Sequence, residues 1–239
     1  IRNCMLVHLD DARIKSRAGA LAPEKVWRGV VLGDESVFTR PERGNDTELS
    51  VDILLDASAS QIERQESVST QAYMIAESLT RCGIPTRVYS FCTLSGCTVL
   101  RLYRDYEEPG KNETIVDYCA AGWKRDGLAF RAAGWLMRSS HCERRLLMIL
   151  SDASPNDDRK ITDRDTGRQE LYRGQAGVID SAEEVEKLRR EGISVMCIST
   201  GEAADRPAAR RIYGRDLVRI RSIEQVADAV GGVIVQLIG

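Results

Sequence analysis

Asp56, Ser58 and Ser60 set one carboxylate and two hydroxyls at alternate positions within five residues. These are hard oxygen donors, suited to a divalent cation such as Mg²⁺ rather than to a soft metal. Two further carboxylates follow: Asp126, in the segment Trp123-Lys124-Arg125-Asp126-Gly127-Leu128-Ala129, and Asp152, directly after Ser151. Three carboxylates and two hydroxyls crowded together repel one another unless a cation neutralises them. The expected metal ligands are therefore Asp56, Ser58, Ser60, Asp126 and Asp152, with Mg²⁺ the expected ion and Mn²⁺ or Ca²⁺ the alternatives. Taken alone, Asp56 has a plainer reading as a helix N-cap or strand-end turn.

Other chemistries find less support. The two histidines, His8 and His141, adjoin no nucleophile motif, which argues against a zinc site or a Ser-His-Asp triad. No Gly-x-x-x-x-Gly-Lys-Ser/Thr loop is present to bind ATP. The acidic run from Asp157 to Gly167 lacks EF-hand spacing and its terminal Glu, so it reads as a solvated loop near the site mouth, long enough for partner contact. Trp27, Trp123 and Trp135 read as packing residues.

The elements that must position these groups are legible as alternating strands and helices. Val51-Asp52-Ile53-Leu54-Leu55 and Arg145-Leu146-Leu147-Met148-Ile149-Leu150 are short apolar runs, suited to strands covered on both faces of a parallel sheet. Asp56 and Asp152 end those runs, at the carboxyl edge where ligands of such sheets sit. Helices are expected over 61–82, 127–138, 181–190, 203–213 and 223–238, with Ser181 as an N-cap and Leu128, Ala132, Trp135 and Leu136 as the inward face of the second. Further strands are expected over 86–92, 98–103, 193–199 and 216–220, the pair 86–92 and 98–103 being antiparallel at the sheet edge. The order implies an α/β fold: a Rossmann-like, doubly wound, mainly parallel sheet with one antiparallel edge strand and helices on both faces. Residues 1–48 are polar and mixed, with a short strand expected near Ser36-Val37-Phe38-Thr39; they read as a lead-in that packs on a domain spanning 49–239.

At 239 residues the chain can hold one large α/β domain with an extension. A net charge of −2 leaves no electrostatic footprint for nucleic acid, and no apolar run approaches the roughly 18–20 residues that span a bilayer. Seven cysteines, an odd number with no Cys-x-x-Cys pair, suit free thiols in a reducing cytoplasm. The start, Ile1-Arg2-Asn3-Cys4, lacks an initiator Met and a signal-peptide core, so a segment of a longer protein is expected.

Asp-x-Ser-x-Ser, a second loop, and a strand ending in Ser151-Asp152 follow the order of the three metal-site loops of von Willebrand factor type A (vWA) domains, which the chain resembles. The second loop of that family usually contributes a threonine, whereas this chain offers Trp123 to Ala129. Asp126-Gly127-x-Ala129-x-Arg131, then Arg145 to Leu150 with Ser151-Asp152-x-x-Pro155-x-Asp157, resembles the C-terminal domains of the NorD and CobT group, as do Tyr172-Arg173-Gly174, Ile212-Tyr213-Gly214, Gly19-x-Leu21 and Val37-Phe38. The resemblance implies a binding module rather than a catalyst, with an open metal position that a partner's Asp or Glu fills. It also implies a MoxR-type AAA+ ATPase as partner, acting to activate a target enzyme or insert metal into it. Asp126 as a third carboxylate would lower the effective charge of the metal and weaken carboxylate capture. A Mg²⁺-dependent phosphohydrolase using Asp56 is the rival, although Ser58 stands where a second aspartate would be wanted. A structural domain with a vestigial site is the third reading.

Overall fold

Val51, Ile53 and Leu55 alternate with Asp52, Leu54 and Asp56, and all six are buried, as a strand covered on both faces requires. The computed structural model describes residues 13–16, 20–21, 38–41, 49–162, 167–200, 206–219 and 231–232. Two compact units are distinguished, Ile1–Asp46 and Thr47–Gly239. In the first, strands β1 (Arg13–Ser16), β2 (Ala20–Leu21) and β3 (Phe38–Pro41) form a small antiparallel sheet with β3 central. The strand expected at Ser36–Thr39 thus falls two residues later.

The second unit is built on six strands: β4 (Leu49–Asp56), β5 (Thr86–Leu94), β6 (Cys97–Arg104), β7 (Arg144–Ser151), β10 (Ile193–Ser199) and β11 (Leu217–Arg219). Their order in the sheet is β6-β5-β4-β7-β10-β11, parallel throughout except for the β5–β6 hairpin at one edge. This is the mainly parallel sheet with an antiparallel edge strand that the pattern implied. Helices α1 (Gln65–Arg81), α2 (Asp126–Met137), α3 (Gly174–Arg190) and α4 (Arg206–Tyr213) cover it. On one face Leu54, Leu147, Ile149, Val195 and Cys197 pack with Phe130, Met137, Val185, Leu188 and Ile212 from α2, α3 and α4. Val51, Ile53 and Leu55 point to the opposite face by the two-residue period of the strand, and there α1 packs on β4 and β5. Among the described residues no helix is long and apolar enough to cross a membrane.

Several boundaries differ from the pattern reading. The polar stretch after Asp152 is not a loop throughout. It forms an antiparallel ribbon, β8 (Asn156–Thr162) with β9 (Gln169–Arg173), whose side chains are mostly exposed and so carry no apolar period to read. Helix α3 starts at Gly174, seven residues before the expected cap. Ser181 is buried inside it, donating its hydroxyl hydrogen back to the Gly177 carbonyl at 2.7 Å. The inward face of α2 is Ala129, Phe130, Ala133 and Met137, and Trp135 is 67% exposed. The small side of that helix turns inward because α3 lies close: a Cβ on Gly134 would stand 2.5 Å from Leu188. The expected helix over 223–238 lies outside the described residues apart from 231–232, which are helical, and Trp27 lies outside them altogether.

A buried polar network ties the edge of the sheet to its centre. Asp52 is fully buried in β4 and accepts hydrogen bonds from the Tyr89 hydroxyl at 3.0 Å and from the Tyr106 hydroxyl, with an Arg87 guanidinium nitrogen 3.9 Å away. Arg87 also donates to Asp105, to the Leu136 carbonyl and to Ser139, each at 2.9 Å. Burial pushes the Asp52 carboxyl up to about 6, against the lowering effect of Tyr106, Arg87 and Tyr89. A carboxyl raised on folding stabilises the native state below its unfolded value near 4, and that contribution is lost as the pH rises through about 6. Asp52→Asn is therefore expected to remove a drop of up to about 3 kcal/mol between pH 4 and pH 7. Urea denaturation across that range checks it, with the variant's stability flatter in pH than wild type.

Candidate functional site

Asp56 is the last residue of β4, and the chain beyond it is held by backbone bonds on two sides. Ala57 donates to the Phe91 carbonyl at 2.8 Å, Ala121 donates to the Ala57 carbonyl at 2.7 Å, and Ala59 donates to the Gly122 carbonyl at 2.9 Å. The buried Tyr118 hydroxyl donates to the Asp56 carbonyl. A 3₁₀ turn over Ala59–Arg64 then leads into α1, so Ser58 lies under the turn, buried, and Ser60 on its exposed side.

The second loop is fastened even more tightly. Trp123 and Thr93 exchange hydrogen bonds at 2.6 and 3.0 Å, and Lys124 and Asn156 do the same at 2.8 and 3.2 Å. Lys124 is thus bracketed between the end of β5 and the start of β8. Gly122, just before, has φ of +72°, and a Cβ there would lie 2.5 Å from the Thr93 carbonyl oxygen, so no other residue fits this approach. Asp126 opens α2, and the Gly127 amide donates to the Tyr172 hydroxyl at 3.0 Å, which donates in turn to Asp180 at 2.9 Å. The third segment is Ser151-Asp152 at the end of β7, followed by Ala153 at φ of +56°. That left-handed turn accompanies bonds from the Ala153 amide to Ser151 Oγ (3.1 Å) and from the Ser154 amide to Asp152 Oδ1 (3.0 Å).

Four of the five expected ligands converge. Ser58 donates from both its amide (3.0 Å) and its hydroxyl (2.6 Å) to Asp56 Oδ1, and Ser60 donates to Asp152 Oδ2 at 2.6 Å. The two serine hydroxyls stand 3.0 Å apart. What reaches them from the second loop is Lys124, not Asp126. Its ammonium is 2.6 Å from Asp56 Oδ2, in contact with Asp152 Oδ1, and 3.3 Å from Ser151 Oγ. Ser151 completes the set by donating to Asp56 Oδ2 at 2.7 Å. Asp126 is buried beside this cluster with neither carboxylate oxygen hydrogen-bonded. It answers to the charges of Lys124, Asp56 and Asp152 without a direct bond to them.

Burial of Lys124 would lower its pKa, but the negative charges of Asp56, Asp126 and Asp152 outweigh this and hold the ammonium well above its ordinary value. Burial would raise Asp152, yet Lys124 and the bonds from Ser60 and Ser154 hold its carboxyl below the usual range. Asp126 has no such bonds. Burial pushes it up to about 7, with Lys124 opposing and the neighbouring aspartates adding to the rise.

The fit of a divalent ion can be tested on lone pairs. An ionised carboxylate offers about four acceptor positions. Asp56 spends two on Ser58 at Oδ1 and two on Lys124 and Ser151 at Oδ2. Mg²⁺ demands close, near-octahedral oxygen donors at about 2.0–2.1 Å. With the ammonium between Asp56 and Asp152, the central ligand has nothing left to give, and the site does not fit the ion. Among the described residues no group of three or more His, Cys, Asp or Glu side chains is arranged to hold a metal. Pattern reasoning passed over Lys124 because a cationic side chain is not a metal ligand. The available signal was one lysine in a loop two residues before Asp126 and between two strand-end carboxylates, Asp56 and Asp152.

No known family profile matches the sequence. Among curated proteins the chain is 28% identical over 179 residues to protein NorD of Stutzerimonas stutzeri, covering 73% of this chain and 25% of that protein. It is 28% identical over 165 residues to an uncharacterised protein of Pseudomonas aeruginosa, covering 67% and 25%. The chain spans about a quarter of the length of these relatives. Among solved structures it is similar to the vWF domain of the type V pili tip protein Mfa5 of Porphyromonas gingivalis, at a TM-score of 0.59 and 8% identity over 79% of this chain and 96% of that one. It is also similar to the PilB minor pilin of Streptococcus sanguinis, at 0.61 and 14%, over 84% and 64%. The fold is a vWA-like α/β fold.

Removing one member of a buried ion pair leaves the other unpaired and costs about 3–5 kcal/mol. Lys124→Met and Asp56→Asn are each expected to lose stability on that scale. The double variant should lose less than the sum, because the Lys124–Asp56 interaction is counted in both single losses, while Asp152 loses its ammonium in either protein that lacks Lys124. Denaturant titration of the four proteins gives the coupling, and additive losses would show that the pair is not a unit.

Proposed function

We propose that this chain is a non-catalytic protein-interaction module of the NorD and CobT type, acting in the cytoplasm. In this reading it couples a MoxR-type AAA+ ATPase to a target enzyme that is activated or loaded with metal. The observation that carries the non-catalytic part is Asp56: it is 0% exposed and its acceptor positions are filled by neighbours within the chain. A phosphohydrolase would need that carboxylate free to attack, so the saturation weighs against the rival enzyme. The similarity to NorD over most of the chain supports the interaction-module reading, and the MoxR-type partner follows only from the resemblance to the NorD and CobT group. Free thiols at Cys92, Cys97, Cys119 and Cys197 suit a reducing compartment.

The surface beside the site has the composition of a contact. Trp123 is 46% exposed and Leu94 45%, and the two segments touch through Gly122. Exposed Trp on a rigid backbone is typical of the residues that dominate binding energy. Rigidity here comes from the paired bonds of Trp123 with Thr93 and of Lys124 with Asn156.

Pull-down with a MoxR-type ATPase encoded beside this protein tests the reading. The wild-type chain should retain the ATPase, and Trp123→Ala should reduce retention about tenfold or more, as a hot-spot loss of ~2 kcal/mol implies. Asp56→Ala, which disrupts the loops around Trp123, should do the same. Absence of retention by the wild-type chain would count against this partner. Phosphate release from generic phosphoesters, lost in Asp56→Ala, would instead favour the enzyme.

A further inference from the structure

We propose that Lys124 is the resident cation of this site, and that the site takes up no Mg²⁺ or Mn²⁺ while Lys124 is in place. This inference concerns the chain by itself and stands whether or not the partner is an AAA+ ATPase.

The geometry assigns every proton of the ammonium. Lysine carries three N–H donors, and here they meet Asp56 Oδ2, Asp152 Oδ1 and Ser151 Oγ. The acceptors are committed in return. Asp56 is filled, and Asp152 uses Oδ1 for Lys124 and the Ser154 amide and Oδ2 for Ser60. A divalent ion would have to break the Lys124 contacts and leave an ammonium without partners in a buried pocket, an expensive exchange. Movement of the whole loop is opposed as well, because backbone bonds hold it to Thr93 on one side and Asn156 on the other.

Charge balance points the same way. The buried strand-end carboxylates Asp56 and Asp152, each 2.6–2.7 Å from serine hydroxyls, would be driven toward protonation without a cation. A lysine tethered in the chain supplies that cation at fixed stoichiometry, where a bound ion depends on its concentration. The site then offers no Lewis-acidic ion to a partner's carboxylate, so recognition at this edge has to use the surrounding surface.

Thermal unfolding of the EDTA-treated wild-type chain should be unchanged by millimolar Mg²⁺ or Mn²⁺ at matched ionic strength, and the electron paramagnetic resonance of added Mn²⁺ should stay that of the free ion. Lys124→Thr should unfold several degrees lower and regain part of that loss with Mn²⁺, the gain disappearing when Asp56→Ala is added. Saturable Mn²⁺ binding by the wild-type chain that Asp56→Ala abolishes would overturn the proposal, as would a Lys124→Thr protein that unfolds at the wild-type temperature. If Lys124→Thr does not fold, the wild-type spectrum decides: free Mn²⁺ supports the proposal, and Asp56-dependent bound Mn²⁺ ends it.

Discussion

Two carboxylates at the ends of adjacent buried strands need a positive charge between them, and the fold supplies one from its own chain. β4 and β7 are neighbours, so Asp56 and Asp152 emerge side by side at the carboxyl edge. Unpaired, two such charges in a low-dielectric pocket would each be driven toward protonation. The Lys124 ammonium removes that conflict, and the surrounding loops serve to keep it there. Gly122 permits the close approach to β5, Asn156 fixes the far side, and Ser58, Ser60 and Ser151 fill the remaining carboxylate positions.

The sheet makes this economical. Its central strands are mostly apolar on both faces, with Asp52 in mid-strand of β4 the main exception. Buried polar groups gather in two clusters. One is the Asp52, Tyr89, Tyr106 and Arg87 network, which locks β4 to the β5–β6 edge. The other is the Lys124 cluster. The left-handed backbone at Ala153 belongs to this second cluster, where strain is tolerated because bonds on both sides determine the turn.

Much of this was legible in residue order. The apolar runs ending in Asp56 and Asp152 gave strands, and alternation with helices implied the parallel sheet and its antiparallel edge. What pattern could not reach was set by contacts between distant segments. The β8–β9 ribbon is not hydrogen-bonded into the six-stranded sheet, and Asp157 and Tyr172 are its only buried residues, too few to impose a period. Trp135 was placed with Leu128, Ala132 and Leu136 by helical spacing, whereas the face that packs inward is Ala129, Phe130, Ala133 and Met137, with Gly134 close against Leu188 of α3. Four of the five expected oxygen donors do meet. Asp126 was expected as the third carboxylate of the site, at the start of the helix between the two strands, but the register of the loop, fixed by Thr93 and Asn156, turns Lys124 to that place instead. No local rule reveals which of two residues in one loop faces a cluster when the deciding bonds come from segments about thirty residues away on either side.

What lies between Asp56 and Asp152 decides the character of the site, and a crystal structure of the wild-type chain grown with millimolar Mn²⁺ measures that directly. Density for the Lys124 side chain joining the two carboxylates, with no manganese anomalous peak there, is the predicted result. A manganese peak coordinated by Asp56, with Lys124 turned away, would contradict it.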